Sequence, residues 1–118
     1  MSTPAGHTRA ISAARVKGTT IYNTAGESIG HVEDVILDKM SDRILFAVLG
    51  FGGFLGIGEK FHAMPWSMLD YSKERGGYVV PLTKDALKAA PVYDFDELLK
   101  DDGAIGRHID AYYGRKAA

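Results

Sequence analysis

The sequence contains no cysteine, which excludes disulfide bonds, thiolate metal ligands and a cysteine nucleophile. No apolar run approaches the roughly 20 residues that a membrane-spanning helix needs. The first 14 residues lack the apolar segment of a secretory signal. The formal net charge is only −1, whereas nucleic-acid-binding domains are clearly basic. We therefore expect a cytoplasmic protein with no membrane span and no direct contact with nucleic acid.

The 118 residues suffice for one domain of ordinary size. Residues 1–12 are small and polar, which predicts a flexible N-terminal segment. Residues 13–82 carry closely spaced strand signals and form the predicted β domain. Residues 83–118 change to a helical period and form the predicted C-terminal extension.

A glycine-rich stretch lies near the middle of the chain. Gly52, Gly53, Gly56 and Gly58 alternate with large apolar residues, and a short strand follows. Glycine reaches backbone angles that are closed to other residues, so the pattern predicts a sharply turned loop. Apolar groups in such a loop either plug one end of the domain or make contact with a partner.

The longest strand signals flank a polar turn over 39–43. In the first, 27–38, the alternation of apolar residues fails midway. This failure indicates a bulge near Glu33 and Asp34 or a strand covered on both faces. In the second, Ile44–Leu49, apolar residues occupy both the odd and the even positions. The predicted hairpin needs cover on both sides, one of which the domain interior can supply and the other a helix or another subunit.

Further strands are predicted at Phe61–Met64, Trp66–Tyr71 and Tyr78–Val80. They follow each other at short spacing without intervening helices, which is typical of a small antiparallel barrel. Nothing in the sequence indicates a parallel sheet.

The last third of the chain predicts three short helices. Thr83 is a plausible N-cap of the first, and Asp94 with Glu97 resembles a capping box at the start of the second. In the third, apolar residues recur at i, i+4, i+7 and i+8, which is one helical stripe. The stripe is Ile105, Ile109, Tyr112 and Tyr113.

Several motifs in this order resemble one family. They are Val16-Lys17-Gly18, Ile21-Tyr22-Asn23, Gly26-Glu27-Ser28-Ile29-Gly30, Val32 to Asp38, Gly52 to Lys60, and Met64-Pro65-Trp66. Between Ala13 and Leu82 the chain resembles the PRC-barrel domain, and in particular its small bacterial stand-alone members. The resemblance implies an all-β fold, a six-stranded antiparallel barrel, here followed by the short helical C-terminal extension.

The same module occurs in the photosynthetic reaction centre H subunit and in the ribosome maturation factor RimM. In both relatives it is a docking and assembly surface and not a catalyst. The resemblance therefore implies a non-enzymatic protein-binding module without a cofactor. The surplus apolar surface predicts a homodimer that docks onto a larger complex. The predicted interface is Ile36, Leu45, Phe51, Phe54, Leu55 and Ile57.

Two alternatives remain open. By family analogy alone, the protein is an RNA-associated assembly factor in ribosome maturation, whose direct ligand would be a ribosomal protein. The other alternative is a small metal- or ligand-binding sensor. His31 and Glu33 lie two residues apart on one strand, so they share a face, and His62 lies on another strand. If those strands are neighbours, the three side chains could bind a metal ion.

Overall fold

The computed structural model describes residues 10–50, 60–100 and 103–117, with side chains as far as Gly114. Most of the predicted flexible N-terminal segment thus lies outside the described residues. The elements in chain order are α1 (Ala13–Val16), β1 (Thr20–Tyr22), β2 (Ser28–Asp38), β3 (Arg43–Gly50), β4 (Phe61–Met64), a 3₁₀ helix (Trp66–Met68), β5 (Asp70–Ser72), β6 (Gly77–Val79), α2 (Lys84–Lys88), β7 (Val92–Tyr93), α3 (Phe95–Leu99) and α4 (Ala104–Ala117).

One sheet contains seven strands in the order β5-β6-β1-β2-β3-β4-β7. Neighbouring strands are antiparallel except β1 and β6, which run parallel. Within the described residues no ladder joins β5 to β7, so the sheet is not closed. The mostly-β prediction is confirmed, but the prediction of six antiparallel strands was wrong in the strand count and at the β1–β6 pair. A two-residue strand has no periodicity to detect, and pairing between distant segments leaves no local signal.

The predicted bulge in β2 is present. Val32 pairs with Leu49 and Asp34 with Val48, so Glu33 is the extra residue. The Asp34 carboxylate accepts a hydrogen bond from the Val35 backbone N–H at 2.8 Å. The bulge explains why the alternation of apolar residues fails midway along this strand.

One face of the sheet, the inner face, is the interior of the domain. Ile21 pairs with Tyr78 on one side and with Gly30 on the other. Val32 lies two residues beyond Gly30 and pairs with Leu49. The side chains of Ile21, Tyr78, Val32 and Leu49 therefore share this face. Trp66 and Tyr71 contact the Tyr78 ring edge to face, with ring centroids 5.8 and 5.5 Å from it. Trp66 and Met68 of the 3₁₀ helix lie where part of a continuous strand was predicted, and they pack against the core.

The opposite, outer face of β2, β3, β4 and β7 is also apolar and buried. Its members are Ile36, Phe46, Val48, Phe61, Ala63 and Tyr93. Phe61 contacts Phe95 of α3 edge to face at 6.0 Å between centroids, and the Tyr93 hydroxyl hydrogen-bonds to His108 of α4. The hairpin is therefore buried on both faces along Ile36, Phe46 and Val48, and the helices contact the outer face at β4 and β7.

The three predicted C-terminal helices are confirmed. The Thr83 side chain accepts a hydrogen bond from the Ala86 N–H at the start of α2, and Asp94 and Glu97 form a reciprocal capping box on α3. In α4, Ile109 and Tyr113 are each only 1% exposed. The apolar stripe thus faces the sheet, whereas Arg107 and Asp110 of the same helix are exposed.

Candidate interaction surface

The hairpin of β2 and β3 is longer than the strands beside it. β1 pairs only with the Ser28–His31 part of β2, and β4 pairs only with Ala47–Leu49 of β3. In the described part of the chain, no further strand pairs with the end of the hairpin beyond Val35 and Ala47. This end is a two-stranded ribbon, an arrangement that is only marginally stable without side-chain contacts elsewhere.

Exposed apolar side chains concentrate on this ribbon. Leu37 is 60% exposed, Met40 93% and Leu45 43%. These three side chains, which we call the hairpin cluster, make up half of the six large hydrophobic residues that are exposed in the described chain. A second bulge places Leu45 beside the Leu37–Ile44 pair, because Ile36 pairs with Phe46 but Leu37 pairs with Ile44, which leaves Leu45 as the extra residue. Several exposed apolar residues on one element indicate an interaction site, whereas single scattered ones are normal on a protein surface.

The turn between the two strands is fixed by its own polar groups. The Asp38 carboxylate accepts hydrogen bonds from the Met40 N–H and the Ser41 hydroxyl, at 2.9 and 2.8 Å. The backbone hydrogen bond from Met40, followed by the hydrogen bond from the Ser41 hydroxyl, lowers the pKa of Asp38. Asp42 adopts a φ of 60°, which aspartate tolerates better than most residues. The turn therefore presents Met40 to solvent on a defined backbone.

The edges of the ribbon are poorly suited to pairing with another strand. The bulge at Leu45 interrupts one strand of the ribbon, and at its base the Asp34 side chain occupies the N–H of Val35. Charged residues and bulges are the usual protection of exposed edges. The carboxylates of β2 thus have structural roles, and the ribbon offers its apolar side chains for contact more readily than its backbone.

The predicted interface residues lie in three different settings. Leu45 is exposed and belongs to the hairpin cluster, whereas Ile36 is 8% exposed and lies in the hydrophobic core. Phe51, Phe54, Leu55 and Ile57 lie outside the described residues, and their role stays a prediction. In the sequence they follow Gly50, which ends β3, whereas Leu45 lies near the start of this strand.

The two histidines of the sensor hypothesis are not neighbours. His31 Nε2 lies 3.7 Å from a Glu33 carboxylate oxygen, and both side chains are 38% exposed. His62 is on β4, separated from β2 by β3, and is only 4% exposed. Its Nδ1–H donates a hydrogen bond of 3.2 Å to the Pro91 carbonyl oxygen. Among the described residues, no three histidine or acidic side chains are grouped as a metal site would require.

A family comparison bears on this arrangement. The model of the PRC-barrel domain matches residues 9–87, which is more than half of the 118-residue chain. The chain belongs to the PRC-barrel family. The suspected resemblance is thereby confirmed. A comparison with curated proteins gives no match.

The PRC-barrel match contains β1 to β6 and ends at Leu87 in α2. The hairpin cluster lies inside the matched region, whereas β7, α3 and α4 lie beyond it. PRC-barrel domains are small interaction and assembly modules, so family membership and the exposed apolar cluster point to the same kind of role. No helix in the described parts of this PRC-barrel protein is long and apolar enough to span a bilayer.

Sequence reasoning missed Leu37 and Met40. The turn 39–43 is polar except for Met40. An apolar residue in an exposed turn is a signal that could have indicated the interaction surface. The exposure of Leu37 could not be anticipated, since it depends on how far β1 and β4 extend beside the hairpin.

Proposed function

We propose that this PRC-barrel protein is a non-enzymatic protein-interaction module of the cytoplasm. It forms a homodimer through the hairpin cluster, and the dimer docks onto a larger complex. The observation that carries the proposal is the presence of Leu37, Met40 and Leu45 on a ribbon that no other strand of the described chain supports. Apolar groups in such a position lose contact with water when a partner covers them.

The chemistry of the ribbon favours a protein partner. Leu37, Met40 and Leu45 are its exposed apolar residues, and charged residues of both signs lie among them, with Asp38 and Asp42 beside Lys39 and Arg43. An apolar centre with a mixed polar rim is the ordinary composition of a protein–protein interface. A rim with both signs of charge is also compatible with a second copy of the same surface, as a two-fold symmetric dimer requires.

The test compares two leucines of matched exposure. Leu37 is 60% exposed within the cluster, and Leu99 is 59% exposed on α3, outside it. Sedimentation velocity is measured for the wild type, Leu37→Glu and Leu99→Glu at about 100 µM, where a micromolar dimer is largely associated. We expect dimers of the wild type and of Leu99→Glu, and monomers of Leu37→Glu.

Two outcomes contradict the proposal. If the wild-type protein remains monomeric at this concentration, the proposed self-association is ruled out. Equal dimerisation of the two variants shows that the dimer interface lies elsewhere. Circular dichroism of each variant verifies that the substitution on the surface has left the sheet intact.

A further inference from the structure

The turn of the β2–β3 hairpin carries the most exposed methionine of the described chain. Met40 is 93% exposed, whereas Met64 is fully buried and Met68 packs, partly buried, against the core. Because the sequence contains no cysteine, the methionine thioethers are the side-chain groups that hydrogen peroxide oxidises most readily. Access to the oxidant therefore distinguishes Met40 from Met64 and Met68.

The fold holds Met40 by its backbone and not by its side chain. The Asp38 carboxylate accepts a hydrogen bond from the Met40 N–H, and the Asp38 carbonyl oxygen accepts one from the Asp42 N–H at 3.0 Å. The thioether itself lies almost entirely in solvent. Oxidation of its sulfur therefore changes the polarity of the turn without removing a contact on which the sheet depends.

Met40 also belongs to the hairpin cluster, so its polarity bears on association. A methionine sulfoxide is polar, and covering it with an apolar surface costs free energy unless a donor reaches its oxygen. The other members of the cluster, Leu37 and Leu45, have no donor in their side chains. A two-fold symmetric interface contains every residue twice, so oxidation of both copies places two sulfoxides in it.

We propose that Met40 is the oxidation-sensitive site of this chain, and that its conversion to the sulfoxide by hydrogen peroxide prevents association through the hairpin cluster. One oxygen atom passes from the peroxide to the Met40 sulfur. The O–O bond breaks, an S–O bond forms, the sulfur is oxidised by two electrons and the peroxide is reduced to water. The reaction takes place on the monomer, because the dimer covers Met40. The effect on association rests on the self-association proposed above, whereas the site of oxidation does not.

The first experiment locates the oxidation. The full-length protein is treated with hydrogen peroxide at about 1 µM or below, where a micromolar dimer is at least half dissociated. Peptide mass spectrometry then follows the gain of one oxygen atom at each methionine. We expect Met40 to react at least about tenfold faster than Met64 and Met68. Equal or faster oxidation of Met64 or Met68 would overturn the assignment of the site.

The second experiment measures the consequence. Sedimentation velocity is recorded over a dilution series from about 1 to 100 µM for the wild type and for Met40→Leu, each before and after peroxide treatment. Met40→Leu keeps an apolar side chain in the cluster and retains the other three methionines, so it reports any effect of their oxidation. Peroxide should raise the dimer Kd of the wild type at least about tenfold and leave that of Met40→Leu unchanged.

Reversal provides the control for damage to the fold. Methionine sulfoxide reductases of both stereospecificities, with dithiothreitol as reductant, should restore the original Kd of the treated wild type. If the treated wild type dimerises as well as the untreated protein, or if Met40→Leu loses association equally, the effect of Met40 oxidation is overturned and the proposed function stands. If the untreated wild type is monomeric throughout the series, self-association and its control by Met40 both fail, and the peptide map still decides the site of oxidation.

Discussion

Replacing Tyr113 by phenylalanine should stabilise the protein, although the change removes a polar atom from a buried side chain. The Tyr113 hydroxyl is inaccessible and has no hydrogen-bond partner among the residues that the structure describes. Its burial, with a smaller effect of the neighbouring Tyr112, raises the pKa of Tyr113, so the group stays protonated. Leaving a polar group buried and unsatisfied costs about 1–3 kcal/mol of folding free energy. Phenylalanine removes that cost and leaves a void the size of one oxygen atom, for a net gain of about 1 kcal/mol.

The adjacent tyrosine provides the control. The Tyr112 hydroxyl donates a 2.7 Å hydrogen bond to the Ala86 carbonyl, so Tyr112→Phe should lower the free energy of unfolding by about 0.5–1.5 kcal/mol. Urea unfolding followed by circular dichroism measures both changes as shifts of the midpoint at constant slope. The midpoint of Tyr113→Phe should rise by about 0.5 M or more, and that of Tyr112→Phe should fall. A lower midpoint for Tyr113→Phe would show that its hydroxyl is satisfied, and the reasoning about the α4 contact would be refuted.

Two further predictions concern His62 and the glycines. Burial lowers the pKa of His62 below its ordinary value of 6.5, against a smaller opposing effect of the Pro91 carbonyl. The unfolded chain therefore takes up the proton first, so the stability due to neutral His62 is full above about pH 6.5 and is lost as the pH falls. Between about pH 5 and 8, the urea midpoint of His31→Gln should fall with falling pH because of this loss, and that of His62→Gln should not. The same dependence of the midpoint on pH in both variants would contradict the role given to His62. Gly77→Ala should lower the melting temperature, because its Cβ would lie 2.4 Å from the Thr20 carbonyl oxygen. The Cβ of Gly106→Ala would have no described atom within 4 Å, so this change should raise the free energy of unfolding by about 0.5–1 kcal/mol. Calorimetry should therefore show a lower melting temperature for Gly77→Ala and a higher one for Gly106→Ala.

The parts of the fold that local chemistry determines could be predicted from the sequence. The failure of alternation in β2 indicated the bulge at Glu33, and Thr83 and Asp94 indicated the starts of two helices. The need for cover on both sides of the hairpin also followed from its apolar pattern. In each case the signal lies within a few residues of the feature that it predicts.

The parts that long-range pairing determines could not be predicted. Nothing near β1 or β6 in the sequence indicates that they pair in parallel, and the 3₁₀ helix at Trp66 replaces a strand that its composition favoured. The hairpin cluster was missed for the same reason. Leu37 is exposed because β1 and β4 end before they reach this part of the hairpin. The residues around Leu37 carry no signal for the lengths of those neighbouring strands.

Association through the end of the β2–β3 hairpin is measured by hydrogen exchange with mass spectrometry over a dilution series, which locates the protected segment without any substitution. We expect the amides of peptides covering 37–45 to become more protected as the concentration rises, whereas those of α3 do not change. Protection that is independent of concentration, or that changes only outside 37–45, would contradict association through this hairpin.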